Sequence, residues 1–177
     1  MIRIIGGKNR SRQLFTPTNG LTKPTMDKVR AAVFNALSED VANKRVLDLF
    51  SGSGSYGFEA LSRGASSVTF VDNQKEAIAT IKKNASLLKE ENFSILFEDV
   101  ISFLKNKEKQ YDIVFVDPPY KLEIYQEVLS LLDINEYLSE HAIVVLESDK
   151  ELDINVDSFK KVKQYNYGLA KIYILRK

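Results

Sequence analysis

The sequence predicts an α/β fold, with a mostly parallel central sheet that ends in an antiparallel hairpin and a small basic extension at the amino terminus. Apolar runs typical of buried strands alternate with helical segments between residues 46 and 146. A glycine-rich turn joins the first of these strands to a helix. Alternating stretches on either side of Gly168 then predict a terminal hairpin. A chain of 177 residues, 44% hydrophobic and 28% charged, is ordinary for one globular domain.

The first forty residues carry the charge asymmetry of the chain. Two short apolar runs, Ile2 to Ile5 and Gln13 to Phe15, predict a pair of strands, and Thr25 to Leu37 predicts a helix that Thr25 caps. The first thirty residues have a net charge of +6, which leaves −5 for the rest of a chain whose total is +1. A solvated basic arm would account for this pattern, but it also fits a polyanionic partner. The candidate contacts to such a partner are Arg3, Lys8, Arg10, Arg12, Lys23 and Arg30.

A ligand cradle is predicted around the run that begins at Arg45. Val46 to Phe50 reads as a buried strand, the glycine-rich turn follows, and Tyr56 to Arg63 reads as a helix that ends at Gly64. Glycines allow turns and close approaches that a Cβ would block. The N–H groups at a helix N-terminus also favour an anionic group. We therefore expect a ligand at the carboxyl edge of the sheet.

Two ligands fit the glycine spacing. Gly52, Gly54 and Gly57 match the dinucleotide fingerprint, but the carboxylate of Asp48 would repel a pyrophosphate. The same carboxylate suits the ammonium group of S-adenosylmethionine. The stretch resembles the first motif of the class I methyltransferases, and the expected cofactor residues there are Asp48, Phe50, Gly52, Ser53 and Gly54.

The next two strands end in acidic residues that suit the rest of this cofactor. Ser67 to Val71 is followed by Asp72 and Asn73, where a carboxylate can accept hydrogen bonds from ribose hydroxyls. Phe93 to Phe97 is followed by Glu98, Asp99 and Val100, where Asp99 and the Val100 N–H could contact adenine. Asp72 and Asp99 are also candidate caps for the helices predicted over Lys75 to Lys89 and Ile101 to Leu104, and Asp72 could serve both roles.

A second motif follows the fourth strand, Tyr111 to Val116. In Asp117-Pro118-Pro119-Tyr120, the two prolines hold the backbone extended and fix the Pro118 carbonyl beside the Asp117 carboxylate. Two fixed acceptors can hold an exocyclic NH₂ group and stabilise the charge that develops on its nitrogen. Tyr120 offers a ring on which an extruded base can stack. The motif resembles the signature of methyltransferases that act on exocyclic amines of bases.

Composition narrows the chemistry further. The chain has no cysteine, which excludes a thiolate nucleophile and therefore the carbon-5 cytosine mechanism. Its one histidine, His141, is expected to be a surface or boundary residue and not a catalyst, and no metal site is expected. No apolar run approaches the length of a membrane span and no signal peptide is recognised, so a cytoplasmic protein is expected. A monomer is a separate expectation.

The remaining segments complete the predicted order. A helix over Leu122 to Leu132 and a fifth strand over Ala142 to Leu146 precede the hairpin formed by Phe159 to Tyr165 and Lys171 to Leu175. Five strands separated by helices and followed by a hairpin resemble the class I methyltransferase (Rossmann-like) fold, with one reversed strand.

Nearly the whole chain resembles the bacterial RsmD-type family. The resemblance rests on Arg3-Ile-Ile-Gly-Gly, on Leu14, Pro17 and Lys23-Pro24-Thr25, on the pattern from Asp27 to Asn35, and on both motifs above; it departs at Ser11, Lys23 and Ala31. It implies methylation of the N2 amine of a guanine in 16S ribosomal RNA, with S-adenosylmethionine as cofactor and the small ribosomal subunit or its RNA as partner. It also implies that Asp48, Gly52, Gly54, Asp72 and Asp99 line the cofactor site, that Asp117 to Tyr120 hold the guanine, and that the basic extension holds RNA.

Two alternatives remain open at this point. One is an adenine-N6 methyltransferase that acts on DNA or RNA. The other is a non-catalytic, RNA-binding factor in ribosome assembly. The basic extension and the lack of a separate target-recognition domain favour RNA over a sequence-specific DNA enzyme.

Overall fold

The computed structural model describes residues 2–18, 27–106, 109–119 and 122–177. The strands are β1 (Ile2–Arg3), β2 (Gln13–Leu14), β3 (Arg45–Leu49), β4 (Ser67–Asp72), β5 (Phe93–Phe97), β6 (Tyr111–Val116), β7 (Leu138–Ser148), β8 (Lys161–Tyr167) and β9 (Ala170–Arg176). The helices are α1 (Asp27–Leu37), α2 (Ser55–Ser62), α3 (Lys75–Leu88), α4 (Val100–Leu104) and α5 (Tyr125–Ile134), and a 3₁₀ turn covers Ser38–Val41.

Seven strands form the central sheet, in the order β5-β4-β3-β6-β7-β9-β8. Strands β3 to β7 pair in parallel, whereas β9 pairs antiparallel with both β7 and β8. The predicted fold class is confirmed, including the single reversed strand. The strand order changes direction between β3 and β6, and in open α/β sheets such a switch point opens a crevice at the carboxyl ends of the strands.

Helices cover both faces of the sheet, which explains the apolar runs of the central strands. In β3, Val46 belongs to the core cluster beneath α1, α2 and α3, while Leu47 and Leu49 belong to the opposite cluster beneath α4 and α5. Because strand side chains alternate between faces, a strand buried on both sides needs apolar residues at successive positions. The polar Asp48 is the exception that marks the site.

Most element boundaries differ from the prediction by one or two residues, and the larger differences are in α5 and β7. Helix α5 begins at Tyr125, three residues later than Leu122. Strand β7 runs from Leu138 to Ser148, well beyond the predicted Ala142 to Leu146, because β6 and β9 pair with it on its two sides. The predicted start of the first helix, including its cap Thr25, lies outside the residues that the structure describes.

The amino-terminal extension packs against α2. Strands β1 and β2 pair antiparallel, Ile2 with Leu14, and bury both side chains. The Glu59 carboxylate accepts hydrogen bonds from the N–H groups of Ile5 (2.7 Å) and Gly6 (2.8 Å). Gly7 adopts φ +75°, and a Cβ there would lie 1.8 Å from the Ser62 carbonyl oxygen. The double glycine therefore serves close packing of the extension on the end of α2.

Candidate active site at the carboxyl edge of the sheet

The loop after β3 requires left-handed backbone at three positions. Phe50, Gly52 and Gly54 have φ values of 57°, 54° and 76°. A Cβ on Gly54 would lie 2.7 Å from the Phe58 ring, and one on Gly57 would lie 2.3 Å from the Phe70 ring. The loop and the first turn of α2 therefore need glycine for close packing as well as for conformation. Ser53 is buried in the same turn.

Asp72, at the end of β4, braces this loop. Its carboxylate accepts hydrogen bonds from the Gly52 N–H (2.9 Å) and the Gln74 N–H (2.8 Å). Burial raises the pKa of this carboxyl, while these hydrogen bonds act against the rise. Gln74, not Asp72, occupies the N-cap position of α3, so the alternative role of Asp72 as the helix cap is wrong. The adjacent Asn73 is exposed.

Asp48 lies beneath the loop, with only 2% of its surface exposed. It accepts a hydrogen bond from the Gly57 N–H (2.9 Å). Burial raises the pKa of its carboxyl to about 8, with the nearby Asp72 charge adding to the rise and the Gly57 N–H opposing it. The carboxyl therefore keeps its proton at neutral pH unless a cation lies close to it.

Asn84 on α3 connects this loop to the amino-terminal extension. Its fully buried amide donates to the carbonyl oxygens of Ser53 and Phe15, each at 3.0 Å, and accepts from the Phe15 N–H at 2.8 Å. This asparagine was missed in the sequence, where it is one of several polar residues in an amphipathic helix. One amide thus holds two segments that are far apart in the chain.

The end of β5 carries the third predicted contact. Asp99 is exposed and caps α4, accepting a hydrogen bond from the Ser102 N–H at 3.0 Å. The helix-cap alternative for Asp99 is therefore confirmed. The remaining lone pairs of its carboxylate leave room for a further donor. Val100 begins α4 with its side chain buried.

The proline motif lies beside the glycine loop. Leu49 of β3 pairs with Val116 of β6, so Asp117 leaves the sheet next to Phe50. Asp117 is partly exposed, Pro118 is buried and Pro119 is exposed. Tyr120, the last residue of the predicted motif, lies outside the described part of the chain.

A buried carboxylate beside this motif was missed. Glu147, near the end of β7, is 4% exposed and accepts a hydrogen bond from the Tyr56 hydroxyl at 2.8 Å. The Tyr125 hydroxyl donates to the Glu147 carbonyl oxygen at 2.7 Å. Glu147 falls just beyond the fifth strand as predicted, which ends at Leu146, and was not among the candidate site residues. The signal that could have found it is an acid directly after a buried apolar run, the same signal that marked Asp72.

The predicted basic contacts in the described part of the extension are exposed, except for Arg30. Arg3, Lys8, Arg10 and Arg12 are exposed, and Lys23 lies outside the described residues. Arg3 pairs with Asp27 and Lys8 pairs with Glu90, each at 3.0 Å, while Arg12 donates to the Leu87 carbonyl oxygen at 2.8 Å. These exposed side chains remain candidates for contacts with a polyanion.

Arg30 requires a correction. Its side chain is 0% exposed, donates to Asp27 and to the Arg3 carbonyl oxygen, and lies 3.8 Å from the buried carboxylate of Glu59. Its prediction as an RNA contact is wrong for this conformation, because phosphates cannot reach a guanidinium sealed beneath the extension. Arg30 joins α1, α2 and the extension instead.

An aromatic side chain adds to the basic surface. Phe15 is 41% exposed, and the Lys83 ammonium lies 3.5 Å from the centre of its ring. A surface hollow of about 250 Å³ adjoins it, lined by Arg12, Gln13, Leu14, Phe15 and Leu87. Helix α3 therefore contributes Lys83 as a cation next to the extension, and Lys83 was not among the candidate contacts predicted from the sequence.

Known proteins are similar to this chain over most of its length. The model of the family described as Conserved hypothetical protein 95 matches residues 2–176. The chain belongs to this family. It is 38% identical to Ribosomal RNA small subunit methyltransferase D of Escherichia coli strain K12 over 150 residues, which cover 85% of this chain and 76% of that protein. The RsmD-type resemblance predicted from the motifs is confirmed.

Two further relatives match over almost their full lengths. The chain is 33% identical to the putative rRNA methyltransferase YlbH of Bacillus subtilis, with 99% of each protein covered. A solved structure, the putative methyltransferase yhhF from Escherichia coli, superimposes with a TM-score of 0.89 at 34% identity and covers 99% of this chain and 97% of that one. The family match therefore includes the extension, the glycine loop and the proline motif together.

Among the described residues, no helix is long and apolar enough to cross a membrane, and no group of three or more His, Cys, Asp or Glu side chains could hold a metal ion.

Proposed function

We propose that this protein transfers a methyl group from S-adenosylmethionine to the exocyclic N2 amine of a guanine in 16S ribosomal RNA of the small subunit. The observation that supports it best is the pairing of Leu49 with Val116, which brings the glycine loop and the Asp117 motif together. A donor site and an acceptor site must adjoin for direct transfer, because reaction requires the two reacting groups in near contact.

The cofactor fits the strand ends in order. Asp48, Phe50, Gly52, Ser53 and Gly54 would surround its amino-acid part, Asp72 and Asn73 the ribose, and Asp99 with the Val100 N–H the adenine. The position of the glycine loop supports this fit, because the loop follows β3 at the point where the strand order changes direction and a crevice opens at the carboxyl ends of the strands. The buried carboxyl of Asp48 supplies negative charge for a cationic ligand when it ionises. When bound, S-adenosylmethionine supplies a sulfonium-activated methyl group.

The guanine would lie at the end of β6. Asp117 and the Pro118 carbonyl would accept hydrogen bonds from the two N–H groups of the N2 amine, and the Pro119 ring keeps that backbone stiff. These acceptors favour the positive charge that develops on the nitrogen during transfer. Tyr120 would stack on the extruded base.

Residues 1–40 would hold the RNA. Arg3, Lys8, Arg10, Arg12 and Lys23 are the proposed phosphate contacts, with Lys83 as an additional cation. Phe15, exposed beside Lys83, suits stacking with an unpaired base. Arg30 is not among the contacts, because it is buried.

The test is methyl transfer from labelled S-adenosylmethionine to 16S RNA, small subunits, transfer RNA and duplex DNA, followed by mass spectrometry of the nucleosides. We expect N2-methylguanosine in 16S RNA or in the subunit. N6-methyladenosine, or label in DNA alone, would instead support the adenine alternative.

Asp117→Ala separates an enzyme from a non-catalytic assembly factor. We expect transfer to fall by at least about 100-fold while S-adenosylmethionine and RNA still bind, as for loss of a group that stabilises developing charge. Asp153→Ala, the same change at an exposed position, serves as the control. Full complementation of a deletion strain by Asp117→Ala would favour the assembly factor.

A further inference from the structure

Glu147 lies next to the proposed base site on the neighbouring strand. Val116 of β6 pairs with Leu146 of β7, so Asp117 and Glu147 both follow this pair. Glu147 lies two residues beyond Val145 in β7 and therefore faces the same side of the sheet. The charge of Asp117, which follows β6, acts on the Tyr56 hydroxyl that donates to Glu147, so Asp117 lies close to this pair. Neighbouring strands are about 4.8 Å apart, so the two carboxylates adjoin at the edge of the sheet.

Tyr56 fixes the Glu147 side chain. Its hydroxyl donates to the carboxylate at 2.8 Å, and its ring stacks on Phe115 with the ring centres 4.7 Å apart. Burial and the charges of Glu147 and Asp117 raise the pKa of the Tyr56 phenol, so it remains a donor at neutral pH. Tyr56 also stands in the first turn of α2, directly after the glycine loop. It therefore links the proposed cofactor loop to the strand beside the proposed base site.

The bases differ at the edge that meets such a pair of carboxylates. Guanine presents two neighbouring donors, its N1–H and its N2 amine. Adenine and cytosine present an amine beside an unprotonated ring nitrogen, which is an acceptor. A second carboxylate beside Asp117 would attract the guanine N1–H and repel the lone pair of an acceptor nitrogen. An ionised carboxylate can accept several hydrogen bonds at once, so the bond from the Tyr56 hydroxyl does not by itself exclude another donor.

We propose that Glu147, held by Tyr56, is the residue that selects guanine: its carboxylate accepts the N1–H while Asp117 holds the N2 amine. This inference rests on the proposed function. A site that hydrogen-bonds a specific group of its substrate rejects an analogue that lacks this group, because the buried polar partner in the site is then left unpaired. Here the group is the guanine N1–H and the buried partner is the Glu147 carboxylate.

The experiment compares two substrates that share the 2-amino group. One is small-subunit RNA with guanine at the mapped target nucleotide, and the other is the same RNA with 2-aminopurine there, which lacks the N1 proton. We expect the wild-type protein to have a kcat/KM about 100-fold or more higher for guanine. Glu147→Gln should lower kcat/KM for guanine by about 10-fold to 100-fold and shrink the guanine preference below about 10-fold, since a charged hydrogen bond is lost.

The controls separate selection from support of the fold. Glu140→Gln makes the same change at an exposed position of β7 and should leave both rates unchanged. Tyr56→Phe keeps the ring on Phe115 but removes the donor, so it should weaken the guanine preference in the same direction. The affinity of each variant for S-adenosylmethionine, measured calorimetrically, should match the wild type and show that the fold is intact.

The outcomes are distinct. If the wild-type protein forms no N2-methylguanosine, the proposed function fails whatever Glu147 does. If it forms N2-methylguanosine but the Glu147→Gln protein keeps the full preference for guanine over 2-aminopurine, the selection by Glu147 is refuted, even if the overall rate drops.

Discussion

Asp48→Asn tests the electrostatics of the proposed cofactor site in the protein without ligand. In the folded protein, the carboxyl of Asp48 has a pKa of about 8, whereas an unfolded aspartate titrates near 4. Between these values the folded state holds one more proton than the unfolded state. The free energy of unfolding therefore falls as the pH rises through this window.

The size of the effect follows from the width of the window. One pKa unit corresponds to about 1.4 kcal/mol, so a window of about four units amounts to about 5 kcal/mol. An asparagine amide does not titrate, and its oxygen can still accept from the Gly57 N–H. We expect the Asp48→Asn substitution to remove this pH dependence, so that the variant gains stability relative to the wild type as the pH rises from about 4 to about 8.

The assay is urea unfolding at several pH values, with the wild type, Asp48→Asn and the exposed control Asp153→Asn measured side by side. The difference between the wild type and Asp48→Asn is decisive, because titrating groups that do not interact with Asp48 cancel. A difference that stays constant from about pH 4 to about pH 9 would refute a proton held by Asp48. A second measurement follows the affinity for S-adenosylmethionine between about pH 4 and about pH 8. The wild-type affinity should increase with pH, because the cationic ligand favours the ionised carboxylate, and the Asp48→Asn variant should lose this trend.

The remaining predictions concern packing, the shared amide and the RNA contacts. Gly57→Ala should lower the free energy of unfolding by about 1–3 kcal/mol, because its Cβ would lie 2.3 Å from the Phe70 ring; an unchanged urea midpoint would contradict this close packing. Asn84→Ala should cost about 1–3 kcal/mol by leaving buried partners unsatisfied and should also weaken S-adenosylmethionine binding in calorimetry, whereas a loss of stability with full affinity would show that the amide does not support the loop. Replacing Arg10 and Arg12 by alanine should weaken RNA binding and leave cofactor affinity unchanged. The slope of the logarithm of the RNA binding constant against the logarithm of the salt concentration should become shallower by up to about 1–2. An equal loss of cofactor binding would show that the extension has a structural role instead.

The fold could be predicted because its signals are local. Strand β6 and strand β5 have the predicted boundaries. In β6, an apolar run bounded by polar residues marks a buried strand at both ends, whereas β5 is a partly exposed edge strand. The acids that follow the strands were also visible, because a carboxylate directly after an apolar run stands out. Their pairing with the loop, such as Asp72 with the Gly52 N–H, follows from the order of the strands in the sheet.

What could not be predicted depends on contacts between distant segments. Arg30 looked like an exposed cation because nothing near it in the chain reveals Glu59, which lies 3.8 Å from it in the folded protein. The length of β7 could not be predicted because it is set by pairing with β9, which comes later in the chain. Helix periodicity also gave no reason to distinguish Asn84 from its polar neighbours.

The attachment of the amino-terminal segment has a practical consequence for protein engineering. In a truncated protein that starts at residue 41, the Glu59 carboxylate would lose its backbone donors. Apolar residues that pack against the extension and α1, such as Tyr56 and Phe115, would become exposed. The truncation would also leave the Asn84 side chain holding Ser53 alone. Such a shortened protein would confound loss of RNA affinity with damage to the donor-binding loop, so point substitutions at exposed arginines are the sounder way to separate the two activities.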